Sequence, residues 1–264
     1  MTGFTVVTYN VRHRTLDDGL DAWSNRRDPV VERLRALSPA VLALLESTGT
    51  QQADIERALS AHEWHGVAEE PGSGEHNPIG VGRRFSTRRT RTEWLSETPA
   101  EPSTGWDAAY PRVLTTVRLE DGESGRSLVV YNTHFDHRGS RARERSAGLV
   151  RRRVDSLDPE TEALVVGDLN CRPDSPPYRL LSGAETRNDR SERRPLRDAR
   201  TAADTVEGPD TTVTDFETLD PGRMLDHVFV TSGLAVDAHR IDDRTAGGRY
   251  PSDHLPVVAD LQFR

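Results

Sequence analysis

The sequence predicts an α/β fold, and two observations support this prediction. Short aliphatic runs, several of them rich in β-branched residues, are typical of buried strands. Segments with apolar residues at helical spacing lie between these runs, so that strand and helix alternate from the start of the chain. Most of the strand-like runs also end in polar side chains, and we therefore expect the strand ends to build one functional site.

The run from Leu164 to Asn170 shows this feature most clearly. Its three consecutive aliphatic residues predict a strand that is buried on both faces. Gly167 is expected to end the strand. Asp168 and Asn170 follow at alternate positions, so both side chains should point into the space at the carboxyl end of the strand.

Five further segments place polar residues beside predicted strands, and we predict that all six segments converge on one pocket. The five are Val6 to Asn10, Val41 to Glu46, Val129 to His134, the run that begins with Leu225 and Asp226, and Ser252-Asp253-His254, which lies between a turn and the last strand.

The other elements are predicted in chain order from turn and capping residues. In the first third we expect a strand from Phe4 to Val11, a helix with Asp28 as N-cap and Pro29 as its first residue that ends at Ser38-Pro39, and a short helix capped by Thr50 that runs to Leu59. Beyond these we expect a strand pair of Val113 to Leu119 and Ser127 to Phe135, followed by an amphipathic helix from Arg141 to Leu157. A long loop region with one short helix is expected from Gly183 to Asp220. The last two predicted strands run from Met224 to Thr231 and from Leu255 to Phe263.

Composition limits the possible functions. The chain has 264 residues without a flexible linker or a repeat, which indicates one domain over 1–264. It contains no membrane-length apolar run and no secretory signal, so we expect a cytoplasmic protein without membrane contact. The net charge is −8, which opposes tight nonspecific binding to long nucleic acid. All 35 basic residues are arginine, which is consistent with a halophilic source or with codon bias alone.

The single cysteine, Cys171, excludes an intrachain disulfide. It is expected to be a small packing residue beside the site, with a nucleophilic thiol as the weaker alternative. A Gly-x-Ser-x-Gly nucleophile elbow and a phosphate-binding P-loop are both absent from the sequence. These absences disfavour a serine hydrolase and a P-loop kinase.

The polar side chains of the six segments suit metal-assisted attack of water on a phosphoester. Asn10, Glu46 and Asp253 supply hard oxygen atoms, which Mg²⁺ or Mn²⁺ prefers and Zn²⁺ does not. His254 and Asp226 can form a carboxylate–histidine pair, in which the carboxylate favours the positively charged form of the imidazole. Asp168 could accept a proton from water, as a general base does. Asn170 could hold that water or a phosphate oxygen.

These motifs together resemble the endonuclease/exonuclease/phosphatase family. The resemblance is carried, in the family's order, by Thr8-Tyr9-Asn10-Val11-Arg12, Leu45-Glu46, Asn132-Thr133-His134-Phe135-Asp136-His137, Gly167-Asp168-Leu169-Asn170, Leu225-Asp226-His227-Val228-Phe229 and Ser252-Asp253-His254-Leu255-Pro256-Val257. It implies a four-layer α/β sandwich of two packed mixed sheets flanked by helices, as in deoxyribonuclease I, with a divalent metal site at one edge. One departure is Leu45, at a position where the family often has glutamine.

The resemblance also implies roles for individual residues. Asn10 and Glu46 look like metal-site residues, and Asp253 resembles a residue that binds metal or supports the histidine. Asp168 and Asn170 look like the pair that activates and positions water. Asp226 looks like the partner of His254, and His134 resembles the position that contacts phosphate.

The substrate remains open between two hypotheses, and a third describes a protein without activity. The first is a monomeric phosphoesterase for a nucleotide, a sugar phosphate or a single-strand end, with substrate contacts from Trp94, Trp106, Tyr110 and Arg112. The two tryptophans lie in proline-bearing loops and could form a stacking wall, or they could anchor the loops. The second hypothesis is a nuclease for duplex DNA. The third, an inactive binding module, is opposed by the intact Glu46 and Ser252-Asp253-His254.

Overall fold

The structure, a computed structural model, describes residues 3–14, 19–69, 74–183 and 194–264. The strands in this part of the chain are β1 (Phe4–Asn10), β2 (Val41–Leu45), β3 (Ser47–Thr48), β4 (Glu63–His65), β5 (Glu75–His76), β6 (Ile79–Val81), β7 (Phe85–Trp94), β8 (Val113–Asp121), β9 (Ser127–Thr133), β10 (Thr161–Asp168), β11 (Leu196–Asp198), β12 (Thr205–Glu207), β13 (Asp226–Thr231), β14 (Leu234–Ile241) and β15 (Val257–Phe263). The α-helices are α1 (Trp23–Leu37), α2 (Gly49–Ala58), α3 (Ser140–Asp155), α4 (Pro176–Ser182) and α5 (Ala199–Ala202).

Two large sheets form the centre of the molecule. The first has the strand order β12-β14-β15-β1-β2-β6-β4, and the second has the order β11-β13-β10-β9-β8-β7. Both sheets are mixed, because β1 pairs parallel with β2 and antiparallel with β15, while β10 pairs parallel with β9 and antiparallel with β13. A separate two-stranded ribbon joins β3 to β5.

Side chains alternate between the two faces of each strand, and this alternation produces four layers. In β1, Val6 faces the other sheet and belongs to the apolar core between the sheets. Val166 of β10 packs into the same core from the second sheet. The next residue, Val7, faces outward and packs in the cluster that contains Leu34 of α1 and Ile55 of α2. Each such side chain, when fully buried, stabilises the fold by roughly 2 kcal/mol.

The outer face of the second sheet is covered in the same way. Val165 of β10 packs in a cluster with Val150 of α3 and Leu181 of α4. The order of layers is therefore helix, sheet, sheet, helix. The predicted four-layer α/β sandwich is confirmed.

The predicted starts of the first two helices are wrong. Helix α1 begins at Trp23, and Pro29 lies inside it. The indole nitrogen of Trp23 donates to Asp54 Oδ2 at 3.0 Å, and Arg26 donates to the carbonyl of Val11 at 2.9 Å, so tertiary contacts extend the helix ahead of the proline. The N-cap of α2 is Thr48 instead of Thr50, because the side chain of Gln51 accepts from the backbone N–H of Thr48 at 3.1 Å.

The elements that were not predicted include α4 and the strands β3, β4, β5, β7 and β14. Strand β7 forms an edge of the second sheet and carries the exposed residues Arg88, Arg89 and Arg91, so it lacks the apolar pattern of a buried strand. The hairpin β8–β9, helix α3 and strand β15 agree with the prediction. Part of the predicted loop region from Gly183 lies outside the described residues, and its described part includes the short helix α5 together with β11 and β12. None of the described helices is long and apolar enough to cross a membrane.

Candidate active site

The topology brings the predicted polar residues to one edge of the sandwich. Asn10 and Asp168 end β1 and β10, while Glu46 and His134 follow β2 and β9 directly. Strands β13 and β15 run antiparallel to their neighbours, so their starts meet these ends. Asp226, at the start of β13, and His254, shortly before β15, therefore join the same cluster.

Gly167 fixes the position of Asp168, although it does not end the strand as predicted. The strand continues through Gly167 to Asp168. Gly167 has φ of 135°, and a Cβ there would lie 1.9 Å from the carbonyl oxygen of Thr133. Only glycine allows this approach between β10 and β9. The N–H of Phe135 then donates to the carbonyl of Asp168 at 2.9 Å and fixes the two strand ends side by side.

A tight turn after β10 places Asn170 beside Asp168. Asn170 adopts φ of 45°, and its N–H donates to Asp168 Oδ1 at 2.9 Å. Its side-chain nitrogen donates to the carbonyl of Phe135 at 2.9 Å. Burial, together with the charge of Asp226, raises the pKa of Asp168 to about 7. Asp168 and Asn170 both face the same cavity, as the alternate spacing predicted.

Glu46 is held as a charged carboxylate. Asn10 donates to Glu46 Oε1 at 3.0 Å, and the N–H of His13 donates to Oε2 at 3.2 Å. The ring nitrogen Nδ1 of His13 also lies 3.0 Å from Oε2. Burial opposes the charge, but the hydrogen bonds from His13 and Asn10 hold the pKa of Glu46 well below its ordinary value.

Asp253 approaches this group from the segment before β15. Arg12 Nη1 lies 3.5 Å from Asp253 Oδ2, and the Ser252 hydroxyl donates to the carbonyl of Asn10 at 2.8 Å. The second contact ties the Ser-Asp-His segment to the end of β1. Burial raises the pKa of Asp253, and the nearby negative charge of Glu46 adds to the rise.

His254 is surrounded by carboxylates. Its Nδ1 lies 2.7 Å from Asp226 Oδ2, and its Nε2 lies 3.7 Å from Asp168 Oδ2. Burial opposes a charge on the ring, but Asp226 and Asp168 raise the pKa of His254 well above its ordinary value. A carboxylate accepts hydrogen bonds and does not donate them, so this geometry stabilises the imidazolium.

His134 has the opposite surroundings. Arg112 Nη1 lies 3.1 Å from its Nδ1, and the side-chain nitrogen of Asn170 lies 3.0 Å from its Nε2. Guanidinium and amide nitrogens are donors, so a ring that faces them cannot carry a proton on both nitrogens. Burial and the charge of Arg112 hold the pKa of His134 well below its ordinary value. We conclude that His134 is neutral.

The loop before β8 brings Tyr110 and Arg112 to the cavity. The N–H of Ala109 donates to Asp136 Oδ2 at 3.0 Å, and the N–H of Ala142 donates to Asp107 Oδ1 at 2.6 Å, so this loop is fastened to the start of α3. Tyr110 then stacks on His137 with ring centroids 5.9 Å apart and an interplanar angle of 19°. Arg112 is buried.

The two tryptophans do not take the predicted position. Among the described residues, the side chains that line the cavity include Tyr110 and Arg112 but neither Trp94 nor Trp106. The indole nitrogen of Trp94 donates to the carbonyl of Glu69 at 2.7 Å, which anchors a neighbouring segment. Trp106 has φ of 53°, and its N–H donates to Glu97 at 3.2 Å. The predicted stacking wall of Trp94 and Trp106 is therefore not formed.

The cavity at this edge has a volume of about 560 Å³. It is rich in charge, because five carboxylates of the described chain line it together with two arginines and four histidines. Asn10 and Asp226 are not part of the lining; both are buried and contact residues that are. Cys171 is also buried, and burial raises the pKa of its thiol to about 12, which agrees with a packing role.

Two sets of side chains offer ligands for a divalent cation. Ligand atoms of Asp168, Asp226 and His254 all lie within 4.8 Å of one another. In this set, Asp226 Oδ2 and His254 Nδ1 bind each other at 2.7 Å, so the two residues already form an ion pair. The second set is Glu46, Asn10 and Asp253, whose oxygen atoms are the hard donors that Mg²⁺ and Mn²⁺ prefer. A cation beside these carboxylates would also offset their mutual repulsion.

Six residues that line the cavity were not among the predicted site residues, namely Arg12, His13, Glu69, Glu75, Pro111 and His137. The first two follow the predicted strand end at Asn10 directly, and that position was a usable signal. The two glutamates lie in or beside a Gly-rich loop without periodicity, where no local pattern distinguishes a cavity residue from a solvated one.

Comparison with known proteins supports the same family as the motifs. The model of the Endonuclease/Exonuclease/phosphatase family matches residues 7–254. No curated protein sequence matches the chain. Among solved structures, an endonuclease/exonuclease/phosphatase from Bacteroides vulgatus is 29% identical, with a TM-score of 0.91 and 100% of each chain covered.

Two other solved structures are similar over nearly the full chain. A mannosyl-6-phosphatase from Bacteroides thetaiotaomicron is 27% identical, with a TM-score of 0.90, covering 98% of this chain and 100% of its own. The catalytic domain of human Nocturnin is 21% identical, with a TM-score of 0.75, covering 99% of this chain and 95% of its own. The similarity to Nocturnin supports the fold alone.

Proposed function

This chain belongs to the endonuclease/exonuclease/phosphatase family, and on that premise we propose that it is a divalent-metal-dependent hydrolase of compact phosphoesters. The candidate substrates are a nucleotide, a sugar phosphate or a single-strand end. The cavity of about 560 Å³ supports a substrate of this size. The similarity to a mannosyl-6-phosphatase supports it as well.

The observation that carries the proposal is the position of Asp168 between two histidines. Its Oδ2 lies 3.5 Å from Nε2 of His134 and 3.7 Å from Nε2 of His254. A carboxylate with a pKa near 7 can take a proton from water at neutral pH. The adjacent imidazolium can stabilise the negative charge that develops on the phosphoryl oxygens.

In the proposed reaction, the water oxygen bonds to phosphorus while Asp168 takes one of its protons. The bond from phosphorus to the ester oxygen breaks, and the released alkoxide takes up a proton from solvent. Asp168 then returns its proton to solvent, so the products are phosphate and an alcohol. Asn170 orients the water beside Asp168. The backbone N–H of Asn170 donates to Asp168 Oδ1 at 2.9 Å, which keeps the two residues together. Asp226 keeps His254 charged and oriented, and the neutral His134 contacts the phosphate.

Glu46, Asn10 and Asp253 would hold the metal ion. When bound, Mg²⁺ or Mn²⁺ would neutralise phosphate charge and polarise the phosphoryl group. Glu46 is suited to this role because its carboxylate is ionised and lines the cavity. Cytoplasmic location, a monomeric state and a single domain stay predictions from the sequence.

The experiment measures hydrolysis by the purified protein after metal removal with EDTA and after the return of Mg²⁺ or Mn²⁺. The substrates are p-nitrophenyl phosphate, bis(p-nitrophenyl) phosphate, mononucleotides, hexose phosphates, a single-stranded oligonucleotide and a plasmid. We expect activity that depends on the added metal. Full activity in EDTA would contradict metal dependence, and no hydrolysis of any phosphoester would overturn the proposal.

A matched pair of variants tests the metal site. Glu46→Gln keeps the shape of the side chain but removes its charge, so we expect loss of activity and weaker binding of Mn²⁺ in titration calorimetry. Glu144→Gln makes the same change at an exposed position of α3 and should behave as the wild type. Efficient cleavage of the plasmid with all small phosphoesters untouched would favour a duplex nuclease instead.

A further inference from the structure

We propose that the alcohol part of the substrate is a sugar or another polyol, and that Glu69 and Glu75 accept hydrogen bonds from its hydroxyl groups. This inference rests on the proposed function and narrows its substrate class. It starts from the carboxylates of the cavity. Glu46, Asp168 and Asp253 have roles in metal binding or catalysis, whereas Glu69 and Glu75 have none.

The two surplus glutamates are held in place by the surrounding chain. The N–H of Glu69 donates to the carbonyl of Glu75 at 3.0 Å, which joins the two residues through the backbone. Asn77 donates to Glu69 Oε1 at 2.7 Å, and the indole nitrogen of Trp94 donates to the Glu69 carbonyl at 2.7 Å. Glu69 is 5% exposed, so its position is determined by these contacts.

The carboxyl groups of Glu69 and Glu75 line the cavity and can accept further hydrogen bonds. Glu69 Oε2 lies 3.6 Å from Arg112 Nη1, which is beyond hydrogen-bond distance. Glu75 is half-buried, and its Oε1 lies 3.8 Å from His13 Nδ1. Burial raises the pKa of Glu69 to about 7 and also raises the pKa of Glu75. Hydrogen bonds from ligand hydroxyl groups favour the charged form of each carboxyl group, and this form has room to accept them.

Glu69 and Glu75 form an acidic wall of the cavity, and its negative charge favours one class of ligand over another. An oligonucleotide would bring further phosphates against Glu69 and Glu75, and like charges repel in a partly buried site. Arg112, 3.6 Å from Glu69, offsets part of this repulsion. Neutral hydroxyl groups donate hydrogen bonds to carboxylates instead, and such charge-assisted bonds are strong. A substrate with one phosphate and several hydroxyl groups satisfies both conditions.

The mouth of the cavity offers an aromatic surface. Tyr110 stacks on His137, and 54% of Tyr110 remains exposed. One face of a sugar ring is formed by C–H groups, and a flat aromatic ring can cover it. The cavity thus combines a phosphate end at His134 and His254, an acidic wall at Glu69 and Glu75, and an aromatic platform at its opening.

The test compares two kinds of substrate, which differ in their hydroxyl groups and ring oxygen. Mannose 6-phosphate and glucose 6-phosphate are sugar phosphates, and cyclohexylmethyl phosphate has the same ring size and the same primary ester without hydroxyl groups. For each variant we measure kcat/KM with both kinds of substrate in Mg²⁺. We expect Glu75→Gln and Glu69→Gln each to lower the ratio of sugar phosphate to cyclohexylmethyl phosphate by about tenfold.

The controls separate this inference from the proposed function. Glu144→Gln should keep the wild-type ratio, and circular dichroism shows whether each variant is folded. If Glu69→Gln does not fold, the partly exposed Glu75→Gln carries the test alone. An unchanged ratio in a folded, active Glu75→Gln variant would overturn the inference and leave the phosphoesterase intact. No activity on any phosphoester in the wild type would overturn the proposed function itself.

Discussion

His134 is buried and His254 is 12% exposed at the same edge of the sandwich, yet their nearest hydrogen-bond partners differ in kind. His254 faces the carboxylates of Asp226 and Asp168 at 2.7 and 3.7 Å. The nearest partners of His134 are the donor nitrogens of Arg112 and Asn170 at 3.1 and 3.0 Å, and Asp168 Oδ2 lies farther away at 3.5 Å. The His254 ring is therefore an imidazolium and the His134 ring is neutral, although both residues lie next to the ends of strands.

The difference teaches that hydrogen-bond partners decide the charge of a buried histidine more than burial does. The same rule applies behind Asp226, outside the catalytic cavity. His227 faces Asp198 Oδ2 at 3.4 Å and the carbonyl of Cys171 at 3.0 Å, which are both acceptors, and these contacts raise its pKa despite burial. The buried Nδ1 of His239 has no hydrogen-bond partner among the described residues, and burial lowers the pKa of His239 to about 4.

The largest expected effect comes from removing the charge that supports His254. Asp226→Asn keeps the shape of the side chain but no longer stabilises the imidazolium. Because His254 is proposed to act on the transition state, we expect kcat to fall about a hundredfold, or about 2.7 kcal/mol, with little change in KM. Steady-state kinetics on the best substrate of the panel measures both constants.

Asp198→Asn is the matched control for this change. It removes the carboxylate partner of His227, on a strand next to β13, and it leaves the catalytic pair intact. We expect lower stability with kcat close to that of the wild type. Equal losses of kcat in the two variants would show that His254 has no special role.

A smaller effect is expected at His134. If this ring acts as a neutral hydrogen-bonding group, glutamine can replace part of its function. We expect His134→Gln to lower kcat/KM by about tenfold, the value of one hydrogen bond, whereas His254→Gln should cost at least as much as Asp226→Asn. The two variants are compared on one substrate at pH 7. A greater loss at His134 would reverse the proposed assignment of the two rings.

The smallest expected effect concerns stability at acid pH. The folded protein keeps His239 neutral down to about pH 4, whereas the unfolded chain binds a proton at about pH 6.5. This residue therefore lowers the stability of the fold as the pH falls from about 6.5 to about 4. His239 is packed near Asp198, Arg200 and His227, whose charges also contribute.

His239→Gln should reduce this acid sensitivity. Chemical denaturation at several pH values between 7 and 4 gives the free energy of unfolding of the variant and the wild type. We expect the variant to lose less of that free energy over this range. Parallel curves for the two proteins would show that His239 is not protonated on unfolding.

The sequence predicted the site best where local pattern and chemistry coincide. Asp168 and Asn170 follow a buried aliphatic strand, and the alternation of side chains is enough to aim both into one cavity. Asp226 and His254 could be paired through the family resemblance, and the structure brings them to 2.7 Å. Strand ends are reliable signals because burial fixes the strands themselves.

Loops and helix starts were predicted less well, because distant contacts determine them. The start of α1 depends on bonds from Arg26 to the carbonyls of Val11 and Pro251, which no local pattern reveals. Trp94 and Trp106 were expected at the cavity because of their residue type, but neither lines it. Trp94 donates to the backbone of Glu69, and Trp106 donates to Glu97. The charges of His134 and His254 also depend on partners that are far apart in the chain.

The most direct test of the different charges of the two rings is ¹⁵N NMR of the histidine side chains at pH 7 in the presence of Mg²⁺. Assignment uses the His134→Gln and His254→Gln variants. We predict two nearly equal nitrogen shifts of an imidazolium for His254, and two widely separated shifts of a neutral ring for His134. A neutral His254 or a charged His134 would contradict the account.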